Sequence, residues 1–245
     1  MDGAITFDFH NTLVTCDAWF ELEVRSLASA FLRWDAERRG GTASDAELAE
    51  ADGAYRGLRR EIVEHGVEEP AERCVSRVLV NLGLQVDDDV IAAGVKSLMR
   101  ATLGEATAME GAVETIRALR AAGVPLGIVS SAVYHPFLEW SLDKVGIRDA
   151  FSDVTTSASA GFYKSRPEIY WHACERLGVQ PAATVHVGDS YRWDVGGAQR
   201  AGLRTVWVAG DGAASHGDSV APDLTLASLV GADTALLNVL RDAGG

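Results

Sequence analysis

Lysine is almost missing from this chain. Its 245 residues hold only Lys96, Lys144 and Lys164 beside 19 arginines, so each lysine can be weighed singly. Basic charge is short altogether: 22 Lys and Arg face 35 Asp and Glu, a formal net charge of −13. That balance excludes the basic stripe of a nucleic-acid surface and an electrostatic hold on anionic lipid. It leaves an anionic substrate open, because a local lysine or metal ion outweighs the average. Cysteine is scarce too. Cys16, Cys74 and Cys174 leave one thiol unpaired in any intrachain scheme and form no CxxC spacing, so a reducing cytoplasm is the expected compartment. No run approaches about 18 uncharged apolar residues, and no basic segment precedes an apolar one at the start, so neither membrane insertion nor export is expected.

What is present falls into two patterns. Residues 17–103 carry helical periodicity without a convincing strand. Phe20, Val24, Leu27, Phe31 and Trp34 form one apolar stripe ending near Gly40-Gly41, and Leu48, Ala51, Tyr55, Leu58 and Ile62 form the next, after capping residues at 42–45. Pro70 suits the first turn of a third helix stopped at Gly83, and Asp87-Asp88-Asp89 opens a fourth. Four such stripes can bury one another as a small bundle. From Met109 onward helices alternate with short apolar runs: 113–122, 137–145, 167–177, 195–201 and 229–240 read as helices, and 124–129, 154–156, 184–187, 205–208 and 223–226 as strands. The stretch 210–217 reads as a loop. Strands separated by helices imply an α/β fold with a Rossmann-like parallel sheet covered by helices on both faces. The run Ala4-Ile5-Thr6-Phe7 belongs with that sheet, which divides the chain into a core of 1–14 with 106–245 and a helical insert of 15–105.

The ends of these strands present a coherent set of side chains. Asp8 follows the first strand, Ser130 and Ser131 follow Ile128-Val129, and Asp189 follows Val187-Gly188; Lys164 stands in an intervening loop and Asp194 begins the next helix. Parallel strands bring their carboxyl ends to one edge, so distant residues converge there. A carboxylate nucleophile, a hydroxyl donor, a cation and further carboxylates for a hard divalent ion are the parts needed to transfer a phosphoryl group. Taken singly, each is ordinary: Asp8 could cap a turn, Lys164 could be a solvated surface lysine, and Gly188-Asp189-Ser190 is a common turn. The five histidines other than His10, His186 among them, lack a paired metal-ligand spacing.

These residues, in this order, resemble the four motifs of the haloacid dehalogenase-like hydrolase superfamily, whose phosphatases attack phosphorus with the first aspartate. The resemblance implies Asp8 as nucleophile and Mg²⁺ ligand, and His10 as acid/base with its backbone carbonyl on the metal. It implies Ser130 and Lys164 as catalytic groups, with Asn11, Ser131 and Lys164 binding the phosphate. Asp189 and Asp194 complete the metal site. The insert is then an α-helical cap, with Trp19, Phe20, Arg33, Trp34 and Tyr55 as specificity candidates, although aromatics at helical spacing also suit a core. The expected partner is a small phosphorylated molecule, with no nucleic acid or membrane, and the protein a monomer or homodimer.

His10 departs from the pattern, which has a second aspartate there. Histidine can serve as general acid and base, its ordinary pKa lying near 6.5. The same departure admits other readings: a metal-independent 2-haloacid dehalogenase, a phosphonatase-type hydrolase, or a weak binding or regulatory relative. Asp189 stands against the first, since a free carboxylate beside the nucleophile repels an anionic substrate. The phosphonatase reading requires a cap lysine, and Lys96 is the only one, late in the insert.

Overall fold

The strand Ala4–Phe7 (β1) is buried along its whole length and forms the middle of the sheet. The computed structural model describes residues 3–210 and 220–243; most of the loop expected at 210–217 lies outside them. After β1 come Val14–Thr15 (β2), Asp17–Glu21 (α1), a π-helical turn Leu22–Ser26, Leu27–Arg38 (α2), Asp45–His65 (α3), Ala71–Asn81 (α4) and Asp88–Thr102 (α5). Thr107–Ala108 (β3) pairs antiparallel with β2, so the chain leaves for the helices and returns at adjacent points. The remainder alternates: Ala112–Ala121 (α6), Leu126–Ser130 (β4), His135–Val145 (α7), Asp153–Thr156 (β5), Ser157–Ala160 (α8), Glu168–Leu177 (α9), Thr184–Gly188 (β6), a second π-helical turn Tyr191–Val195, Gly196–Arg200 (α10), Arg204–Val208 (β7), Leu224–Leu226 (β8) and Asp233–Ala243 (α11).

Six strands make one parallel sheet in the order β5-β4-β1-β6-β7-β8. Side chains alternate across it. Ile5, Phe7, Ile128, Val185 and Val187 join the large apolar cluster with Ile116, Leu119, Leu236 and Leu240 of α6 and α11. Val129 points the other way, into a second cluster with Ile169, Tyr170 and Cys174 of α9 and Ala198 of α10. Helices therefore cover both faces, as the sequence pattern predicts. The chain runs outward from β1 in both directions, through β4 to β5 and through β6 to β8, so β1 is the switch point at whose carboxyl end a crevice opens.

Helices α2 to α5 bury their stripes against one another. α3 starts at a capping box in which the Ser44 hydroxyl and the Glu47 carboxylate satisfy each other's backbone amides, and ends at Gly66 in the left-handed region, φ 72°. The expected elements recur with small shifts. Pro70 stands one residue before α4 rather than in its first turn, and 229–232 form a turn, so the last helix starts at Asp233. The β2–β3 pair is only two residues deep on each side, too short to leave a period in the sequence.

Gly94 lets α5 pack closely on α2: a Cβ there would lie 2.6 Å from the buried Phe31 ring and 2.7 Å from Trp34. Gly53 on α3 faces open space. The two glycines should respond with opposite sign. Gly94→Ala is expected to lower stability by about 1–3 kcal/mol through overpacking, whereas Gly53→Ala should raise it by about 0.5–1 kcal/mol through helix propensity; urea unfolding of both variants reads the difference.

Candidate active site

β1 delivers Asp8 to the sheet edge, where its amide still donates to Val187 O at 2.8 Å. The chain then turns sharply at Asn11, the one non-glycine residue with positive φ (62°) among the described residues, and its amide bonds Val14 O at 2.9 Å. Ser130 ends β4, Asp189 follows β6, and Asp194 lies in the π-helical turn behind it. Gly188 is required here: a Cβ would fall 2.3 Å from the Asp194 carboxyl.

The Lys164 ammonium sits between two carboxylates, donating to Asp8 Oδ1 at 2.5 Å and Asp194 Oδ1 at 2.6 Å. All three side chains are buried. Its main-chain amide is held by Ser131 Oγ at 3.2 Å. Asp194 Oδ2 accepts from Ser190 N at 2.8 Å, and its Oδ1 takes a further bond from His186 Nε2 at 3.1 Å. Burial holds the His186 pKa below its ordinary value, against the pull of Asp194, and Nε2 is the donor because a carboxylate only accepts. The other ring nitrogen, Nδ1, lies 2.9 Å from Thr6 Oγ1 and accepts from it in that tautomer.

Asp8, Asp189 and Asp194 offer carboxylate oxygens that all lie within 4.8 Å of one another. Burial and the Asp194 and Asp189 charges raise Asp8 to about 7, against the pull of Lys164. Burial and Asp194 raise Asp189 to about 6. Burial works on Asp194 in the same sense, but Lys164 and His186 outweigh it and hold that carboxyl down at about 2. Three acids thus meet one ammonium, and burial together with the neighbouring carboxylates keeps two of them raised. The all-oxygen donor set and the missing charge suit a hard divalent cation such as Mg²⁺.

A cavity of about 360 Å³ opens on this cluster. Its wall includes Asp8, His10, Asn11, Ser130, Ser131, Lys164, Asp189 and Asp194 from the sheet side, and Trp19, Phe20, Glu23 and Arg59 from the helices of the insert. The His10 ring stacks on Phe20, centroids 4.6 Å apart and planes 3° from parallel, and meets Trp19 at 5.6 Å edge-on. Burial pushes its pKa below the ordinary 6.5 against the opposing pull of Asp17, and Nε2 is buried without a hydrogen-bond partner among the described residues.

The sequence profile of the haloacid dehalogenase-like hydrolases matches residues 3–202. The chain belongs to that family. It is 40% identical over 102 residues to haloacid dehalogenase-like hydrolase domain-containing protein 3 of Bos taurus, a match spanning 42% of this chain and 40% of the relative. It is 29% identical over 209 residues to a glyceraldehyde 3-phosphate phosphatase of Methanopyrus kandleri, covering 85% of this chain and 84% of that one. In fold it is similar to the crystal structure of a 2-haloacid dehalogenase from Pseudomonas syringae pv. Tomato DC3000, with TM-score 0.72, 21% identity, and 98% and 100% of the two chains covered.

In this hydrolase the strand-end residues named from sequence come together as expected. The helical candidates divide. Trp19 and Phe20 line the cavity, whereas Arg33 is exposed away from it, Trp34 packs on Phe31, and Tyr55 is fully buried with its hydroxyl donating to Glu23 O at 2.7 Å. Aromatic residues at helical spacing also suit a core, and packing assigns Trp34 and Tyr55 to it. Glu23 and Arg59 went unnoticed in the sequence. Each had a signal: Glu23 falls four residues from both Trp19 and Leu27, and Arg59 four from Tyr55, so each interrupts an apolar stripe with a charge. Arg59 is held by Glu68 through bonds of 2.6 and 3.0 Å, and Glu68 Oε2 also takes the Ser157 hydroxyl at 2.9 Å, tying α3 to the sheet side.

Glu23 carries the next prediction. Burial, opposed by Arg59, raises its pKa to about 8, with Oε1 accepting from Val133 N at 3.1 Å and Oε2 without a partner among the described residues. The folded protein keeps this proton where an unfolded glutamate, near 4.5, has lost it, so the contribution is whole below about 4.5 and is lost as pH climbs to about 8. Unfolding free energies at pH 5 and 8.5 should show the native protein losing ground to Glu23→Gln by at least about 1.4 kcal/mol, the worth of one pKa unit. A constant difference across that range would mean that Glu23 is ionised throughout.

Proposed function

We propose that this hydrolase is a Mg²⁺-dependent phosphatase that forms an aspartyl-phosphate on Asp8. One observation carries the reading: Lys164 between Asp8 and Asp194, with Asp189 close by, on the edge where β1 opens the sheet. The carboxylates of Asp8 and Asp189 and the His10 carbonyl would hold the ion, with Asp194 reaching it through water, and the bound ion would offset the repulsion between carboxylate and phosphate. Lys164 orients Asp8 and supplies positive charge to the equatorial oxygens, with Ser130, Ser131 and Asn11 lining their site. Asp8 then attacks phosphorus in line with the leaving oxygen. The helices of residues 15–105 act as a cap that excludes water during this step.

His10 serves as the acid/base. Neutral imidazole takes the proton of the water that hydrolyses the aspartyl-phosphate. The charge of a bound phosphate favours the imidazolium, which returns a proton to the leaving oxygen. The Methanopyrus relative named as a glyceraldehyde 3-phosphate phosphatase supports a small phosphomonoester as substrate. The dehalogenase reading is weakened by Asp189, a carboxylate that repels a haloacid anion and has no task without a metal.

A panel of phosphoesters and 2-haloacids, each with Mg²⁺ and with chelator, tests the reading. Phosphate release that requires Mg²⁺ and is lost in Asp8→Asn is expected; halide release indifferent to chelator would overturn it. For His10, replacement by alanine should cost about 10² to 10⁴ in kcat and abolish an acid-side inflection below 6.5 in the pH profile. His10→Asp should restore rate with that inflection moved to lower pH. Full activity in His10→Ala at every pH would remove the residue from the mechanism.

A further inference from the structure

A second cleft, about 680 Å³, adjoins the catalytic cavity and shares Val24, Arg59, Val63 and Trp193 with it. Among the described residues six arginines line it, Arg25, Arg56, Arg59, Arg60, Arg192 and Arg200, and Glu64 is the one acid. In a chain of net charge −13 this is a local reversal of sign. Two of the six are engaged, Arg59 by Glu68 at 2.6 Å and Arg25 by Glu21 at 3.0 Å. Arg56, Arg60, Arg192 and Arg200 are exposed and make no ion pair with any described residue; Arg192 lies over the Trp193 ring, 4.2 Å from its centroid.

Guanidinium groups in excess over their counter-charges repel one another, and a wall of mainly one sign focuses the field on whatever anion enters. Their planar forks match phosphate oxygens in pairs, which a lysine cannot do. The arginines also come from two sides. Arg25, Arg56, Arg59 and Arg60 belong to the helices between β2 and β3, and Arg192 and Arg200 follow β6, so one anion between them would draw the two together.

We propose that this cleft receives a second phosphate carried on the leaving group, so that the preferred substrates are small bisphosphates with one phosphate at Asp8 and the other among the arginines. The assignment rests on the phosphatase reading. It narrows the substrate class to molecules that carry two phosphates.

Matched pairs test it: 3-phosphoglycerate with 2,3-bisphosphoglycerate, and fructose 6-phosphate with fructose 1,6-bisphosphate. Each pair is compared by kcat/KM in the full chain and by calorimetric binding to Asp8→Asn. At least one bisphosphate should be favoured on the order of tenfold, one charged contact's worth. The preference should collapse toward one in Arg56→Gln/Arg60→Gln and in Arg192→Gln/Arg200→Gln, and at high salt, while Arg241→Gln, an exposed arginine elsewhere, keeps it. Equal turnover and equal binding within both pairs, or a preference untouched by all four substitutions, would overturn the proposal. Arginine-dependent binding without turnover of any phosphoester would uphold the cleft and overturn the phosphatase chemistry instead, so the two failures read differently.

Discussion

One ammonium group holds this site together. Lys164 satisfies Asp8 on one side and Asp194 on the other, with all three side chains buried. Burying three carboxylates near one another is unfavourable unless a cation shares the space, and taking a partner from such a buried pair typically costs about 3–5 kcal/mol because the remaining charge is stranded. The scarcity of lysine makes its position the more telling: the other two lysines are exposed.

The supporting shell is built from less obvious parts. His186 and Thr6 face each other across adjacent strands, on the sheet face turned toward α9, and carry a polar thread through an otherwise apolar layer to Asp194. The edge of Tyr170 packs on the His186 ring at 5.1 Å, and its hydroxyl fixes Trp193 O at 2.8 Å. Both π-helical turns of the described chain hold a buried acid that lines the cavity, Glu23 in one and Asp194 in the other. Such widened turns swing a side chain off the regular helical face, and they recur at functional sites.

Much of this was legible in the sequence because strand ends obey a simple rule. Asp8, Ser130 and Asp189 follow apolar runs whose length and β-branched composition announce buried strands, and a parallel sheet then leaves them one edge on which to meet. Lys164 and Asp194 are less bound by that rule and needed the family resemblance to be assigned. The helical side obeys no such rule. An amphipathic stripe says which face of a helix is buried, but not whether the cover is another helix or a ligand, so Trp19 and Tyr55 look alike until packing separates them. Glu23 and Arg59 were hidden because a charge within an apolar stripe reads as noise without the partner that satisfies it. The two-residue strands β2 and β3 were beyond any periodicity.

The position of β1 in the sheet bears on how the protein must be made. β1 needs two neighbours, and both follow it by more than a hundred residues, β4 from Leu126 and β6 from Thr184. Until then Ile5 and Phe7 have no layer to enter, and β1 offers open edges to any passing chain. Loop closure over such separations makes the central pairing slow relative to the local helices between β2 and β3. Those helices can fold while the strand waits. The Lys164 bridge joins Asp8, before the helices, to Asp194, beyond β6, so it is complete only when the chain through Asp194 has folded.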